Sequence, residues 1–266
     1  MRKKIFSGFW LIGLFFTANV LAAPATTSLM PSPGCDGFIP PAKTDLEKEI
    51  AAASSAMSAS PQNALLYVRR GVAYGDSGQH AKAIADYNRA LAMDPGNAEA
   101  YFNRAFDNEE IGNADQAITD YDKALELDPR IAEAYVGRGR IYSDRGQAQE
   151  AIREYSRAIE IDADYAEAYY DRALVYDDLK DTVHAMPDYQ RAIALNPNDA
   201  CAHNNLALDY QAMGQPDQAM LHFNQAIALD PRLSTAYANR ADLHFERKEY
   251  FEGWRDRWYS FITKTS

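Results

Sequence analysis

A motif that recurs every 34 residues spans most of the chain and restricts the folds that it can adopt. Most periods have a tyrosine and an arginine in the first third, alanine and tyrosine at fixed offsets in the second half, and Asp-Pro or Asn-Pro at the end. A period of this length indicates an array of like supersecondary units. One such unit cannot bury its apolar face alone, so neighbouring units must stack on one another.

Within each period the apolar residues recur at spacings of 3, 4 and 7, which is the period of one helix face. We number the positions of a repeat from 1 to 34 and begin the first repeat at Ala64. Small residues at positions 8, 20 and 27 allow two helices to approach closely, and aromatic residues at positions 11 and 24 fill the space that remains. A glycine marks the turn between the two helices, because glycine tolerates backbone angles that other residues avoid; the glycines are Gly78, Gly112, Gly146 and Gly214. Proline after the second helix stops it.

These positions resemble the tetratricopeptide repeat (TPR), a helix–turn–helix unit of 34 residues. In the first repeat the matching residues are Tyr67, Arg70, Gly71, Tyr74, Ala83, Tyr87, Ala90 and Pro95. The resemblance implies an all-α, right-handed superhelical solenoid with capping helices at both ends. The predicted segments are repeats 1 to 5 at 64–97, 98–131, 132–165, 166–199 and 200–233, and a degenerate repeat 6 with the C-terminal cap at 234–266.

Three further segments precede the repeats. A basic start, an apolar run and a small residue at Ala22 predict a secretory signal over 1–22. A cleaved signal predicts export, to the periplasm of a Gram-negative bacterium or to the medium, with no stable membrane insertion afterwards; an uncleaved anchor is the alternative. Residues 23–43 are rich in proline, which predicts an extended arm, and 44–63 predict an N-terminal capping helix in the place of a second helix from an earlier repeat.

The exported chain would retain two cysteines, Cys35 and Cys201. An even number in an exported protein suggests a disulfide. The short connection from Cys35 to the first helix makes a simple internal bridge to Cys201 difficult. An internal bridge, an intermolecular bridge and two free thiols all remain open at this point.

Position 7 and position 23 carry opposite charges in nearly every repeat. The arginines are Arg70, Arg104, Arg138, Arg172 and Arg240, and the acids are Asp86, Asp120, Glu154, Asp188 and Asp256. In repeat 5 both positions change together, to Leu206 and His222. This covariation predicts an ion pair between the two helices of a repeat, and therefore a structural arginine.

The resemblance implies that the first helix of each repeat lines a concave groove, with positions 2, 5, 9, 12 and 13 facing into it. The acids at these positions are Asp76, Glu99, Glu109, Glu110, Glu133, Asp144, Glu167, Asp177, Asp178, Asp242 and Glu246, and the one base is Arg140. The whole chain has 38 acids and 27 bases, so the predicted groove is far more acidic than the chain. A groove of this charge favours a cationic protein or peptide and repels nucleic acid.

The acids in the last helical turn weigh most, because the helix dipole disfavours a carboxylate there. Aromatic residues at groove positions would add apolar anchors, and asparagine at position 6 holds the peptide backbone in some members of the family. The candidate partner-binding residues are Phe102, Asn103, Phe106, Glu109, Glu110, Arg140, Asp144, Tyr170, Asp177, Asp178, Asn205 and Asn239. The position-6 series is interrupted by Arg69, Gly137 and Asp171.

No catalytic, phosphate-binding or metal-spaced motif is present in the sequence, which predicts a non-enzymatic chain without cofactor or metal. Two departures from the repeat invite a test: Pro187 should delay or kink a second helix, and Trp254, Trp258 and Phe261 form a stripe near the end. The sequence predicts a protein-binding scaffold of the cell envelope. The competing function is a structural or self-associating solenoid that assembles through its terminal helix or its N-terminal arm.

Overall fold

The computed structural model describes residues 43–265, and these residues form thirteen α-helices with no strand. α1 is Lys43–Ala59. The first helices of the repeats are α2 (Ala64–Asp76), α4 (Ala98–Glu110), α6 (Ala132–Asp144), α8 (Ala166–Asp178), α10 (Ala200–Ala212) and α12 (Ser234–Glu246). The second helices are α3 (His80–Met93), α5 (Ala114–Leu127), α7 (Ala148–Ile161), α9 (Thr182–Leu195), α11 (Pro216–Leu229) and α13 (Tyr250–Thr265). The predicted all-α class is confirmed.

The described residues fall into two compact units, 43–141 and 142–265. In the first unit α2 packs on α3 and α4 on α5; in the second, α8 packs on α9, α10 on α11 and α12 on α13. The predicted signal over 1–22, the arm over 23–43 except Lys43, and Cys35 lie outside the described residues and stay predictions. Within 43–265, no helix combines the length and the apolar character that a membrane span requires.

The turns between paired helices use the left-handed backbone region, as the glycine series predicts. Gly78, Gly112, Gly146 and Gly214 have φ between 69° and 81°. In repeats 4 and 6 the same position holds lysine: Lys180 has φ 61° and Lys248 has φ 63°. A residue with a Cβ is strained in this region, at a cost of roughly 1 kcal/mol.

Replacing Lys248 with glycine is therefore expected to raise the free energy of unfolding by about 1 kcal/mol. Chemical unfolding followed by circular dichroism would measure the change. The matched control is Gly214→Lys, which creates the same strain in repeat 5 and should lower stability by a similar amount. A Lys248→Gly variant no more stable than the wild type would contradict the strain argument.

The core of each repeat is an aromatic ring enclosed by small residues. Tyr87, Tyr121 and Tyr189 at position 24 are at most 1% exposed, and the alanines at positions 20 and 27 are equally buried. In repeat 6 the ring comes from the first helix instead. A Cβ at Gly253, at position 20, would lie 2.6 Å from the Phe245 ring, so glycine there makes room for that ring.

The predicted ion pairs hold the two helices of a repeat together. In repeat 2, Arg104 donates from Nε and Nη2 to the two carboxylate oxygens of Asp120, at 2.8 and 2.6 Å. The same two-bond geometry joins Arg70 to Asp86, Arg172 to Asp188 and Arg240 to Asp256. The ion-pair prediction is confirmed in these four repeats.

The arginines also join consecutive repeats. Arg104 Nη1 donates to Asn88 Oδ1 of repeat 1 at 2.5 Å, and its guanidinium lies 5.4 Å from the ring centre of Tyr101. Arg70 makes the equivalent bond to Ser54 of α1 at 3.1 Å. Helix α1 thus occupies the place of a second helix from an earlier repeat, as the sequence predicts.

Pro187 lies inside α9, but it does not delay the start of the helix. α9 begins at Thr182, which is position 17, where the other second helices also begin. Of the two predicted effects, the delayed start is wrong, and a kink at Pro187 stays a prediction. The Asp181 side chain accepts a bond from the His184 amide, so the first turn is capped before the proline is reached.

Candidate functional site

The first helices of consecutive repeats contact one another in each unit, and we call the surface that they form the first-helix face. In the first unit α2 contacts α4. In the second unit Asn205 Nδ2 of α10 donates to Tyr170 Oη of α8 at 3.3 Å, and Gln211 of α10 donates to Glu246 of α12 at 2.8 Å. The helices that the sequence assigns to the groove are therefore neighbours.

A half-buried acid, Asp76, and a buried one, Asp107, lie on the first-helix face of the first unit. Burial, together with the charges of Asp107 and Glu49, raises the pKa of Asp76 to about 7. Asp107 is 2% exposed and its Oδ1 lies 2.6 Å from Nδ1 of His80. Burial also raises the pKa of Asp107, although the bond to His80 opposes this rise. The pair therefore retains a proton near neutral pH.

A second pair, Asp177 and Asp209, repeats the arrangement in the second unit. Asp209 is 4% exposed, and burial together with the Asp177 charge raises its pKa to about 8. Burial raises the pKa of Asp177, whose Oδ2 accepts a hydrogen bond from Tyr189 Oη at 2.8 Å. Burial and the Asp177 charge therefore favour the protonated form of Asp209 near neutral pH.

The sequence did not single out Asp107 and Asp209, both of which stand at position 10. That position is apolar in every other repeat, where it carries Ala73, Ile141, Val175 and Leu243. An isolated aspartate at a position that is otherwise apolar is the signal that could have found them. Gly75 provides the space for Asp107, because a Cβ there would lie 2.9 Å from its Oδ1.

The predicted last-turn acids differ in how deeply they are buried and in their contacts. Glu109 Oε2 accepts a bond from Tyr121 Oη at 2.7 Å, as Asp177 does from Tyr189, so both have a structural role that compensates for the helix dipole. Glu110 is half-buried, and Asp144 and Asp178 are exposed. Arg140, the predicted base, is half-buried, and its charge acts on the Tyr121 hydroxyl.

The three aromatic residues predicted as anchors lie in the core. Phe102 is 2% exposed, Phe106 3% and Tyr170 7%. The Phe102 ring lies 6.0 Å from that of Tyr121, and the Tyr170 ring 5.8 Å from that of Tyr189. The prediction that these rings line an open groove is wrong, because all three are buried; the core clusters that contain Phe102 and Tyr170 also include residues of the following repeat.

The asparagines at position 6 are mostly engaged within the protein. Asn239 Nδ2 donates to Asn204 Oδ1 at 2.9 Å, and Asn205 bonds to both Asn204 and Tyr170. Asn103 differs, because it is 6% exposed and its Nδ2 has no hydrogen-bond partner. The interruption at Gly137 has a steric cause: a Cβ there would lie 2.4 Å from the Tyr121 hydroxyl.

In repeat 5 the arginine at position 7 and the acid at position 23 are replaced by Leu206 and His222. His222 takes part in a stack of aromatic rings. The centre of the His222 ring lies 5.2 Å from that of His203 and 5.4 Å from that of Tyr210, and the two histidine Nδ1 atoms are 3.0 Å apart. Burial lowers the pKa of both histidines, so they stay neutral and one donates to the other. Cys201 is half-buried in α10 and is disulfide-bonded, which excludes the alternative of two free thiols; Cys35 lies outside the described residues. Over residues 43–265, no group of three or more His, Cys, Asp or Glu side chains is arranged to hold a metal ion.

Comparisons with known proteins agree on the repeat. A family model described as TPR repeat matches 71–106 and 139–179, and three described as tetratricopeptide repeat match 98–131, 120–153, and both 166–199 and 200–233. Among curated protein sequences no significant match to the chain was found.

Solved structures with the same fold include MamA, which is 30% identical, with a TM-score of 0.56 over 61% of this chain and 95% of MamA. YrrB, described as a TPR protein with an unusual peptide-binding site, is 24% identical, with a TM-score of 0.58 over 68% of this chain and 93% of YrrB. PilF of Pseudomonas aeruginosa is 18% identical, with a TM-score of 0.66 over 77% of this chain and 90% of the PilF chain. The 34-residue period, the helix pairs and these matches lead to one conclusion: the chain belongs to the tetratricopeptide repeat proteins.

Proposed function

We propose that the chain is a non-enzymatic scaffold of the cell envelope that captures a cationic protein segment on its first-helix faces. Arrays of tetratricopeptide repeats are protein-binding modules, and this general role follows from membership of the family. The envelope location rests on the sequence pattern of residues 1–22. The cationic character of the partner rests on the charge of the first helices.

The observation that carries the proposal is the excess of acids on these helices. Some of them have structural roles: Asp107 bonds His80, Glu109 accepts from Tyr121 and Asp177 accepts from Tyr189. Asp178 is exposed at the end of α8, and Glu110 is half-buried at the end of α4. Both residues place a carboxylate at a helix end where the dipole disfavours it, and the exposed Asp178 is directly accessible to a partner.

The structure also supplies a donor that suits a peptide carbonyl. The Asn103 Nδ2 group is buried and makes no hydrogen bond with any residue of 43–265. A buried donor without a partner costs about 1–3 kcal/mol. A bound segment that offers a carbonyl oxygen to this group would remove that cost, while its cationic side chains would approach the nearby acids.

Reversing one acid at the end of a first helix in each unit tests the proposal. Glu110→Lys/Asp178→Lys is expected to weaken binding of a lysine-rich fluorescent peptide by about tenfold in 50 mM salt, because it reverses one charge on the first-helix face of each unit. Fluorescence anisotropy would measure the affinity. An acidic peptide of equal length should not bind the wild type.

The matched control makes the same change of net charge elsewhere. Glu126 and Glu160 are exposed on second helices, where each pairs with a cation three residues earlier. If Glu126→Lys/Glu160→Lys weakens binding as much as the first-helix variant does, the effect is one of total charge and the proposed site is wrong.

A further inference from the structure

Helix α13 exposes an aromatic stripe, which we define as Phe251, Trp254, Trp258 and Phe261. These side chains are 75%, 68%, 62% and 62% exposed. Their spacing of 3, 4 and 3 residues places them on one face of the helix. Asp256 lies on the opposite face, is 0% exposed and accepts both bonds from Arg240, so packing within repeat 6 fixes the orientation of the stripe. Four large rings on one exposed face mark an interaction surface.

The same face is an interface in the earlier repeats. Trp254 stands at position 21, where Met186 and Met220 are half-buried against core clusters that include residues of the following repeat. Trp258 stands at position 25, where Asn224 accepts a bond from Arg240 of the following repeat at 2.5 Å. The stripe therefore continues a surface that repeats of this fold use to bind a neighbour.

Trp258 makes this surface unsuitable for another arginine-bearing repeat. An indole ring has a donor and no acceptor, so it cannot take the bond that Asn88, Ser156 and Asn224 accept from the next arginine. The occupant must instead offer apolar and aromatic surface.

A second copy of α13 is such an occupant, because the sequence of this helix is nearly palindromic about Asp256. Phe251 and Phe261 lie five residues to either side, Trp254 and Trp258 two, and Arg255 and Arg257 one. When two identical helices lie antiparallel around a two-fold axis at Asp256, Phe251 faces Phe261 of the other molecule, and Trp254 faces Trp258. Such an isologous interface requires a surface that is complementary to itself.

We propose that α13 is a dimerisation helix, and that two molecules of this chain associate through antiparallel pairing of their aromatic stripes. The four side chains would bury about 500 Å² on each molecule, or about 1,000 Å² in total, which lies at the lower limit for a specific interface. Central tryptophans are the residues that most often dominate the binding energy of such a contact. The dimer presents two sets of first-helix faces, so a partner with two basic segments would gain avidity.

Sedimentation velocity between about 1 and 100 µM, in the concentration range where small interfaces associate, tests the dimer. The wild type should change from monomer to dimer, and Trp254→Glu/Trp258→Glu should raise the dissociation constant by at least about tenfold. The control is Leu221→Glu, which replaces a 59% exposed side chain on α11 and should leave the dimer intact. Circular dichroism melting would confirm that both variants fold. A wild type that stays monomeric at 100 µM would overturn the proposal, as would a stripe variant that still dimerises like the wild type.

Cysteine cross-linking tests the antiparallel orientation. Arg255 lies one residue from the axis, so the two Arg255→Cys residues would be about 3 Å apart along the helices, whereas two Lys264→Cys residues would be about 24 Å apart. Oxidation should therefore cross-link Arg255→Cys and should spare Lys264→Cys, each compared with the wild type treated in the same way. Equal cross-linking of both variants would indicate parallel helices and contradict the proposed symmetry. Binding of the wild type to neutral lipid vesicles, with no dimer in solution, would assign the stripe to a membrane surface instead.

Discussion

Replacing Arg104 with leucine is expected to lower the free energy of unfolding by about 3–5 kcal/mol, because it leaves a buried carboxylate without its counter-charge. Asp120 is 1% exposed, and Arg104 donates to both of its oxygens. Gln116 and Asn108 make only longer bonds to the same carboxylate, at 3.2 and 3.4 Å. The substitution also removes the bond to Asn88 in the preceding repeat, so it weakens both the repeat and its junction.

Urea unfolding at pH 7 would measure the loss. The control is Lys48→Leu in the exposed pair with Asp45, whose side chains are 78% and 64% exposed; that pair contributes at most about 1 kcal/mol. The double variant Arg104→Leu/Asp120→Leu should recover part of the stability, because it removes both buried charges. If Arg104→Leu lowers the free energy of unfolding no more than Lys48→Leu does, the ion pair between Arg104 and Asp120 does not stabilise the fold as proposed.

The fold was predictable from the sequence because the residue type at each packing position recurs in several repeats. Tyr87 and Tyr121 recur at position 24, and the acids at position 23 vary together with the arginines at position 7. The bonds between Arg104 and Asp120 follow directly from that covariation. A residue that departs from the pattern in only one or two repeats lacks equivalent residues elsewhere that would indicate its role. Lys180 and Lys248 adopt the glycine conformation at a cost, and only the structure shows that the turn is conserved in shape when the glycine is lost.

The candidate site was predicted less well, because a position on a helix does not fix how deep its side chain lies. Phe102 and Tyr170 stand at position 5, where Val68 and Val136 are also buried. Burial of a large ring is favourable by a few kcal/mol, so these rings turn toward the core tyrosines rather than toward solvent. The apolar character of position 5 in the first four repeats was the available signal.

The acids raise a different difficulty, because charge alone does not show which carboxylates the fold itself uses. Glu109 and Asp177 looked unexplained from the helix dipole, yet each accepts a hydroxyl bond from the buried tyrosine of its own repeat. Asp107 and Asp209 lie on the same faces and were not expected at all. Their pKa values depend on burial and on neighbours from another repeat, which the sequence does not specify.

Replacing Asp209 with asparagine is expected to stabilise the protein by about 4 kcal/mol more at pH 9 than at pH 5, because each unit of pKa difference between the folded and unfolded states corresponds to about 1.4 kcal/mol. Asparagine has the shape of the protonated acid and can still donate to Asp177. The pKa of Asp209 is raised to about 8 in the folded protein and is about 3.9 in the unfolded chain. The folded state therefore favours the protonated acid, and this contribution to stability is complete below about pH 4 and is lost as the pH rises toward 8.

Unfolding free energies from pH 5 to pH 9 would test this sign directly. The difference between Asp209→Asn and the wild type should increase steadily over this range, since the wild type must ionise a buried group beside Asp177. Asp178→Asn is the matched control, because it removes one negative charge from the exposed end of the same pair of helices and should give a difference nearly independent of pH. A constant difference for Asp209→Asn would mean that the two carboxyl groups do not share a proton. A rising difference has a consequence for binding as well: the faces gain negative charge between pH 6 and pH 9, so a cationic partner should bind more tightly at the upper end of this range, in proportion to the protons that the pairs release.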